Sequence, residues 1–217
     1  MLSPVRSYGE ACATAHALDV IGERWALLVV RDLLLGPKRF SDLERGMPGI
    51  NARILAQRLR ELEDAGVVRR RRLGPPVSGM VYELTEWGAD LETVIAHLGR
   101  WGRRSPRLDL DAEIGPDAAV LALRQRFDPG GVRDLTATYA VRFEYDQFVI
   151  QVAGGDLRVT RESPSAPDAV LTTDPRTFAE LVTGRLTVPE AVARGRLAVT
   201  GDRAAVERLL AAVPVAR

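Results

Sequence analysis

The sequence predicts an α+β protein in two parts: a winged helix-turn-helix over residues 1–104, and a smaller α+β domain with an antiparallel sheet over 116–217. Three observations carry this. Between 11 and 101 the apolar residues recur at helical spacing, interrupted by one short strand–turn–strand stretch. From 135 to 173 they alternate at strand spacing. Between them, Arg103 to Pro116 is polar, holds two prolines and keeps no periodicity, so 105–115 reads as a linker.

The elements follow in order. Residues 11–21 and 24–35 have helical periodicity, and Gly36-Pro37 ends the second. Ser41-Asp-Leu-Glu44 has the spacing of a capping box and predicts a short helix that stops near Gly46. Met47 to Ile50 is a turn. Asn51 is an N-cap for a helix reaching Ala65, with Gly66 at its C′ position. On that helix Leu55, Leu59 and Leu62 share one face, while Arg53, Gln57, Arg60 and Asp64 share the other. Val67–Leu73 and Met80–Leu84 flank a proline–glycine loop at 74–79 and predict a hairpin. Thr85 caps a last helix running to about Trp101. Trp25, Trp87 and Trp101 occupy helical apolar positions, as core or dimer-interface residues do.

Helix, turn, helix, hairpin is the order of a winged helix, and the charge distribution suits a polyanion. The net charge is only +1, yet residues 38–72 hold ten Lys and Arg against five Asp and Glu. The helix beginning at Asn51 has the dimensions to enter a major groove. Arg53 and Gln57, early on its outer face, are the candidate base readers, since Arg pairs with guanine and Gln with adenine. Arg58 and Arg60 are candidate phosphate contacts. The helix capped by Ser41 is expected to offer free N–H groups to a phosphate, with Lys38 and Arg39 beside it. Arg69 to Arg72 alternate across a strand, so at most two face DNA together; Arg70 and Arg72 are the candidates. The loop at 74–79 carries no charge, which leaves a wing tip without the cation that a minor groove attracts.

These residues resemble the HxlR family, winged-helix proteins related to MarR regulators. The resemblance is carried by the early Cys12, Ile21-Gly-Glu-Arg-Trp25, Gly36-Pro-Lys-Arg-Phe40, Pro48-Gly-Ile50, Leu55-Ala-Gln-Arg-Leu-Arg-Glu-Leu62, Gly66-Val-Val-Arg69 and Tyr82-Glu-Leu-Thr-Glu-Trp-Gly88. It implies a homodimer, paired through the first and last helices of the domain, on a near-palindromic operator in double-stranded DNA. It departs at Val77-Ser-Gly79, where the family usually has a charged residue after the two prolines. It also gives Cys12 a second reading. A lone cysteine on an apolar-patterned helix is buried and inert; some members of the family sense oxidants or electrophiles with a cysteine at this position, and His16 lies one turn later.

In the second half, 117–127 reads as a short helix. Leu135, Ala137, Tyr139, Val141, Phe143 and Tyr145 share one face of a strand, and Phe148, Ile150 and Val152 continue after a turn. Leu157–Arg161 and Ala169–Thr173 are further strands. Asp174-Pro175 starts a helix to about Gly184, Thr187-Val-Pro-Glu190 is a capping box, and Asp202 starts a final helix over 203–213. The run resembles the C-terminal part of the sterol-carrier-protein domain through Pro167-Asp-Ala-Val-Leu171, Gly184-Arg-Leu186 and Ala191 to Asp202. That resemblance implies an apolar tunnel for a hydrophobic effector, with Tyr139, Phe143, Phe148, Ile150, Phe178 and Leu181 as candidate lining. A filled core serving dimerisation is the alternative, as is a hydrophobic-ligand carrier whose winged helix only dimerises.

Other classes find little support. The chain has two histidines, no metal-ligand spacing and no glycine-rich phosphate loop, so neither an enzyme, a metal nor a cofactor is expected. One cysteine excludes an internal disulfide. No apolar run reaches membrane-spanning length, and no export signal is read at the N-terminus, so no membrane partner and a cytoplasmic location are expected.

Overall fold

The computed structural model describes residues 7–74, 78–161, 164 and 166–213. It divides into two compact units between Asp111 and Ala112. The first unit runs α1 (Ala13–Ile21), α2 (Ala26–Leu33), α3 (Phe40–Gly46), α4 (Ala52–Asp64), β1 (Val68–Leu73), β2 (Gly79–Leu84), α5 (Glu86–Ala89) and α6 (Leu91–Gly102). Helix α4 starts where Asn51 Oδ1 accepts from the Ile54 N–H at 2.9 Å, a cap worth about 1 kcal/mol. It ends at Gly66, whose φ of +76° reverses the chain into β1. Leu55, Leu59 and Leu62 are its inner face and meet Val29, Val30, Leu33, Leu43, Met47, Val67 and Val68 in one core.

The hairpin is antiparallel from Val68 opposite Leu84 to Leu73 opposite Gly79. Its tip, 75–77, where the uncharged wing loop is expected, lies outside the described residues. Lys38 pairs with Tyr82 through both backbone groups and adds a third edge to the wing. Thr85 caps α5 by accepting from the Gly88 N–H. That helix lies so close to β1 that a Cβ at Gly88 would stand 2.0 Å from the Val67 carbonyl oxygen. The single helix expected from Thr85 to Trp101 is two, divided at Asp90.

The second unit runs α7 (Pro116–Arg126), β3 (Ala137–Arg142), β4 (Gln147–Ala153), β5 (Asp156–Thr160), β6 (Ala169–Thr173), α8 (Pro175–Val182), α9 (Val188–Ala193), β7 (Leu197–Gly201) and α10 (Arg203–Ala211). The sheet order is β5-β4-β3-β6-β7. Its pairs are antiparallel except β3 with β6, which is parallel. That pair is seeded where Asp168 N–H donates to the Thr138 carbonyl and Thr138 N–H donates to the Asp168 carboxylate. The sequence reading places no strand at β7. Caps on the helices match expectation: Asp174 accepts from Thr177 N–H, Thr187 and Glu190 cap α9 reciprocally, and Asp202 accepts from Ala205 N–H.

The alternation correctly turns Leu135, Ala137, Tyr139, Val141 and Phe143 inward, but Tyr145, expected on the same face, lies past the end of β3 and is exposed; helices cover the face that carries Tyr139. The Tyr139 hydroxyl donates to the Ala205 carbonyl of α10 at 2.9 Å, and burial pushes its pKa up to about 12. Phe143 stands edge-on to Phe148 and to Phe178 of α8, with ring centroids 5.8 and 5.9 Å away. Tyr139, Phe143, Phe148, Ile150, Phe178 and Leu181 are all buried. These six were candidates to line a tunnel; here they are close-packed core, and their rings fill the space between sheet and helices. A depression of about 640 Å³ in this unit lies at the other end of the sheet and has a mixed lining, polar at Thr138, Gln151, Arg158 and Asp168 and apolar at Val152, Ala153 and Leu157.

Candidate nucleic-acid interface

The outer face of α4 carries Arg53, Gln57 and Arg60, all exposed. Arg53 and Arg60 make no ion pair among the described residues, so their guanidiniums are available to an anion. Gln57 donates to Glu61 Oε1 at 3.0 Å and has to leave that bond to read a base. Asn51, the cap, anchors the start of the same helix.

Arg58 is corrected. It does not reach outward but is 8% exposed, paired with Glu61 at 2.5 Å and with Glu23 at 3.5 Å. Its long stem lies on the flank of the leucine face, and the two carboxylates satisfy its charge inside the protein. Lys38 is corrected for the same reason. Its side chain is 1% exposed and points to the fully buried Asp32 carboxylate, 3.9 Å away; Arg31 holds the other oxygen of Asp32 at 2.7 Å. The one lysine of the chain therefore neutralises a buried acid rather than a phosphate.

The Ser41 capping box is also corrected. The N-cap of α3 is Arg39, whose N–H donates to Asp42 Oδ2 at 3.4 Å, and Ser41 sits inside the first turn. The Asp42 carboxylate occupies the positive end of a seven-residue helix, so no phosphate is held there. Arg39 is exposed and donates to the Ser78 carbonyl at 3.1 Å, which ties the start of α3 to the base of the wing. Sequence spacing alone made Ser41 and Glu44 look right; a shift of two residues in the helix start undoes it.

The wing arginines divide by strand face. Arg69 and Arg71 both grip Glu83, at 2.8 and 2.7 Å. Burial pushes the Glu83 carboxyl up, and the two guanidiniums outweigh it and hold it below the usual carboxylate range. Arg70 pairs with Glu63 of α4 at 2.9 Å, which braces the wing against that helix. Arg72 makes no ion pair among the described residues. Of the described arginines on α4 and the wing, those exposed and without an ion-pair partner are thus Arg53, Arg60 and Arg72.

Cys12 is the N-cap of α1 and is half-buried. The N–H groups of Ala15 and then Thr14 hold its thiol below the usual cysteine value, against a smaller opposing effect of burial. A lowered value raises the thiolate fraction at neutral pH. Alkylation of Cys12 near pH 7.5 is therefore expected to outpace that of free cysteine, whose pKa is about 8.5; a rate equal to or below the free amino acid contradicts the thiolate reading. The described residues contain no group of His, Cys, Asp and Glu that could hold a metal ion, and no helix among them is long and apolar enough to cross a membrane.

Comparison with known proteins agrees with this geometry. Residues 20–108 match the model of the HxlR-like helix-turn-helix family, and 120–213 match the SCP-2 sterol transfer family. Among curated proteins the chain is 38% identical to YdeP of Bacillus subtilis, an uncharacterized HTH-type transcriptional regulator, over 44% of this chain and 74% of that protein. It is 36% identical to the HTH-type transcriptional regulator YodB of the same organism, over 39% of this chain and 76% of that one. The solved reduced form of YodB aligns with 34% identity, covering 45% of this chain and 97% of that one, with a TM-score of 0.40.

Proposed function

Because the chain belongs to the HxlR-like helix-turn-helix family and carries an SCP-2 domain behind it, we propose that this transcriptional regulator binds a near-palindromic operator in double-stranded DNA as a cytoplasmic homodimer, reading bases with α4. The observation that carries the reading is the outer face of α4: Arg53 and Arg60 exposed and without an internal counter-charge, on a helix fixed at its start by Asn51 and braced by the Arg70–Glu63 pair. Arg53 and Gln57 are the base readers; Arg60, Arg72 and the free edge of Arg39 contact phosphates. Selection of genomic fragments by the purified protein tests this. One enriched, two-fold related sequence bound in a salt-sensitive manner is expected; no enrichment over random duplex refutes it.

What supports the dimer is the outer face of α6. Val94, Leu98 and Trp101 stand at positions i, i+4 and i+7, and Trp101 is 72% exposed. Leu18 of α1 is also exposed. An apolar stripe of this kind on a soluble unit is the signature of an association surface, and a two-fold pairing meets the symmetry of a palindromic site. Leu98→Arg is expected to shift the protein to monomer in sedimentation while it stays folded; an unchanged dimer mass excludes this surface.

The SCP-2 unit is proposed as the regulatory part, responding to a hydrophobic small molecule. With the Phe143 ring against Phe148 and Phe178, an effector entering this core has to part α8 from the sheet. It regulates only if it favours one DNA-binding state over the other. Repeating the fragment selection with hydrophobic extracts tests this; an unchanged enrichment profile counts against it.

A further inference from the structure

The bend between α1 and α2, residues 22–25, has no part in the DNA contacts above, yet it holds a strained backbone. Trp25 is the one non-glycine residue with positive φ among the described residues, at +80°. For a bulky side chain this left-handed conformation is strained and persists only where surrounding contacts over-determine it. Two such contacts lead to the reading helix. The Trp25 ring covers the turn before α4, where a Cβ at Gly49 would lie 3.7 Å from Trp25 Cη2. The neighbouring Glu23 carboxylate reaches Arg58 of α4 at 3.5 Å. Arg24 lies over the Trp25 ring, 5.4 Å from its centroid, and closes the bend from outside.

We propose that Glu23 and Trp25 are positioning residues: the bend docks on the Gly49 turn and on Arg58, and so fixes how α4 is presented by α1. The inference rests on the reading of α4 as the DNA-reading helix, and assigns it an internal support. Two features distinguish this from a loop that merely packs. Both contacts end on one helix and its entry turn, and the strained residue is the one whose ring makes the contact with that turn. Glu23 is about half exposed, so its pair with Arg58 is discounted for solvent screening. The Trp25 ring is therefore the larger contributor of the two.

The test uses the full chain with Trp25→Gly, which relieves the positive φ and removes the ring, and Glu23→Gln, which keeps the shape and removes the charge. The first readout is amide hydrogen exchange at Ile50 and Ile54, the turn and the first turn of α4. Exchange about 10-fold faster in Trp25→Gly, and faster to a smaller degree in Glu23→Gln, is expected. The second is duplex binding over a salt series. The ratio of operator to random affinity is expected to fall about 10-fold in Trp25→Gly, with an unchanged salt slope, because no phosphate contact is lost. Unchanged exchange at both amides overturns the proposal, as does a salt slope that falls along with the ratio. Should Trp25→Gly fail to fold, unchanged exchange in Glu23→Gln overturns the Arg58 link. Loss of duplex binding by the unaltered protein refutes the DNA reading instead, and the exchange result still decides the support of α4.

Discussion

Arg53→Ala is expected to weaken operator binding by about 1–3 kcal/mol and to relax the base preference at one position of each half-site. The side chain leaves the first turn of α4, where recognition helices meet base edges. It is exposed and has no ion-pair partner among the described residues, so its removal leaves no internal charge stranded and protein stability should hold. Arg60→Ala is the control. It lies two turns further along the same face, outside base reach, and its loss should weaken operator and random duplex alike and lower the salt slope by about 1. Fluorescence anisotropy on both duplexes over a salt series separates the two. Equal losses on operator and random DNA in both variants would remove the division of the face into readers and phosphate contacts. Arg58→Ala, by contrast, is expected to act through stability, because it removes a buried side chain from the flank of the leucine face.

That contrast marks what the sequence could and could not give. The start and end of α4 were legible because cap chemistry is local: Asn51 and Gly66 act within three residues of themselves. The faces of β3 were legible because alternation has a period of two. Arg58 and Lys38 were misread because burial and partners from other elements decide where they point: Glu23 of the α1–α2 bend joins Glu61 on Arg58, and Asp32 of α2 takes Lys38. No periodicity in α4 announces that Glu23 will lie over it. A denser arginine count than the surrounding surface signals nucleic acid, but does not say which arginines are already neutralised; of Arg69 to Arg72, three have internal carboxylates. The aromatic set of the second unit shows the same limit. Alternation places Tyr139, Phe143 and Phe148 inward, and only the ring geometry tells a filled core from a tunnel.

The closed core of the second unit leads to the other large effect. Arg161→Met is expected to destabilise that unit by about 3–5 kcal/mol, the cost of breaking a buried ion pair. Arg161 bonds Asp117, fully buried in the first turn of α7, and Asp146 at 2.6 Å in the β3–β4 turn. Its guanidinium also lies 4.5 Å from the Phe148 ring centroid. Burial pulls the Arg161 pKa down, and the two carboxylates outweigh it and raise it above the usual value, so the cation is firmly held. Replacing the arginine removes the cation that two acids share, whereas Asp117→Asn leaves Arg161 still paired with Asp146 and should cost clearly less. At about 4–8 °C per kcal/mol for a unit of this size, Arg161→Met should lower its melting transition by more than about 12 °C. Calorimetry at neutral pH reads the loss directly. A transition left unchanged, or lowered no further than in Asp117→Asn, would show that α7 is not pinned to the sheet by this cluster. The expected loss identifies the cluster as the clasp that the proposed effector would have to open to enter between α7, α8 and the sheet.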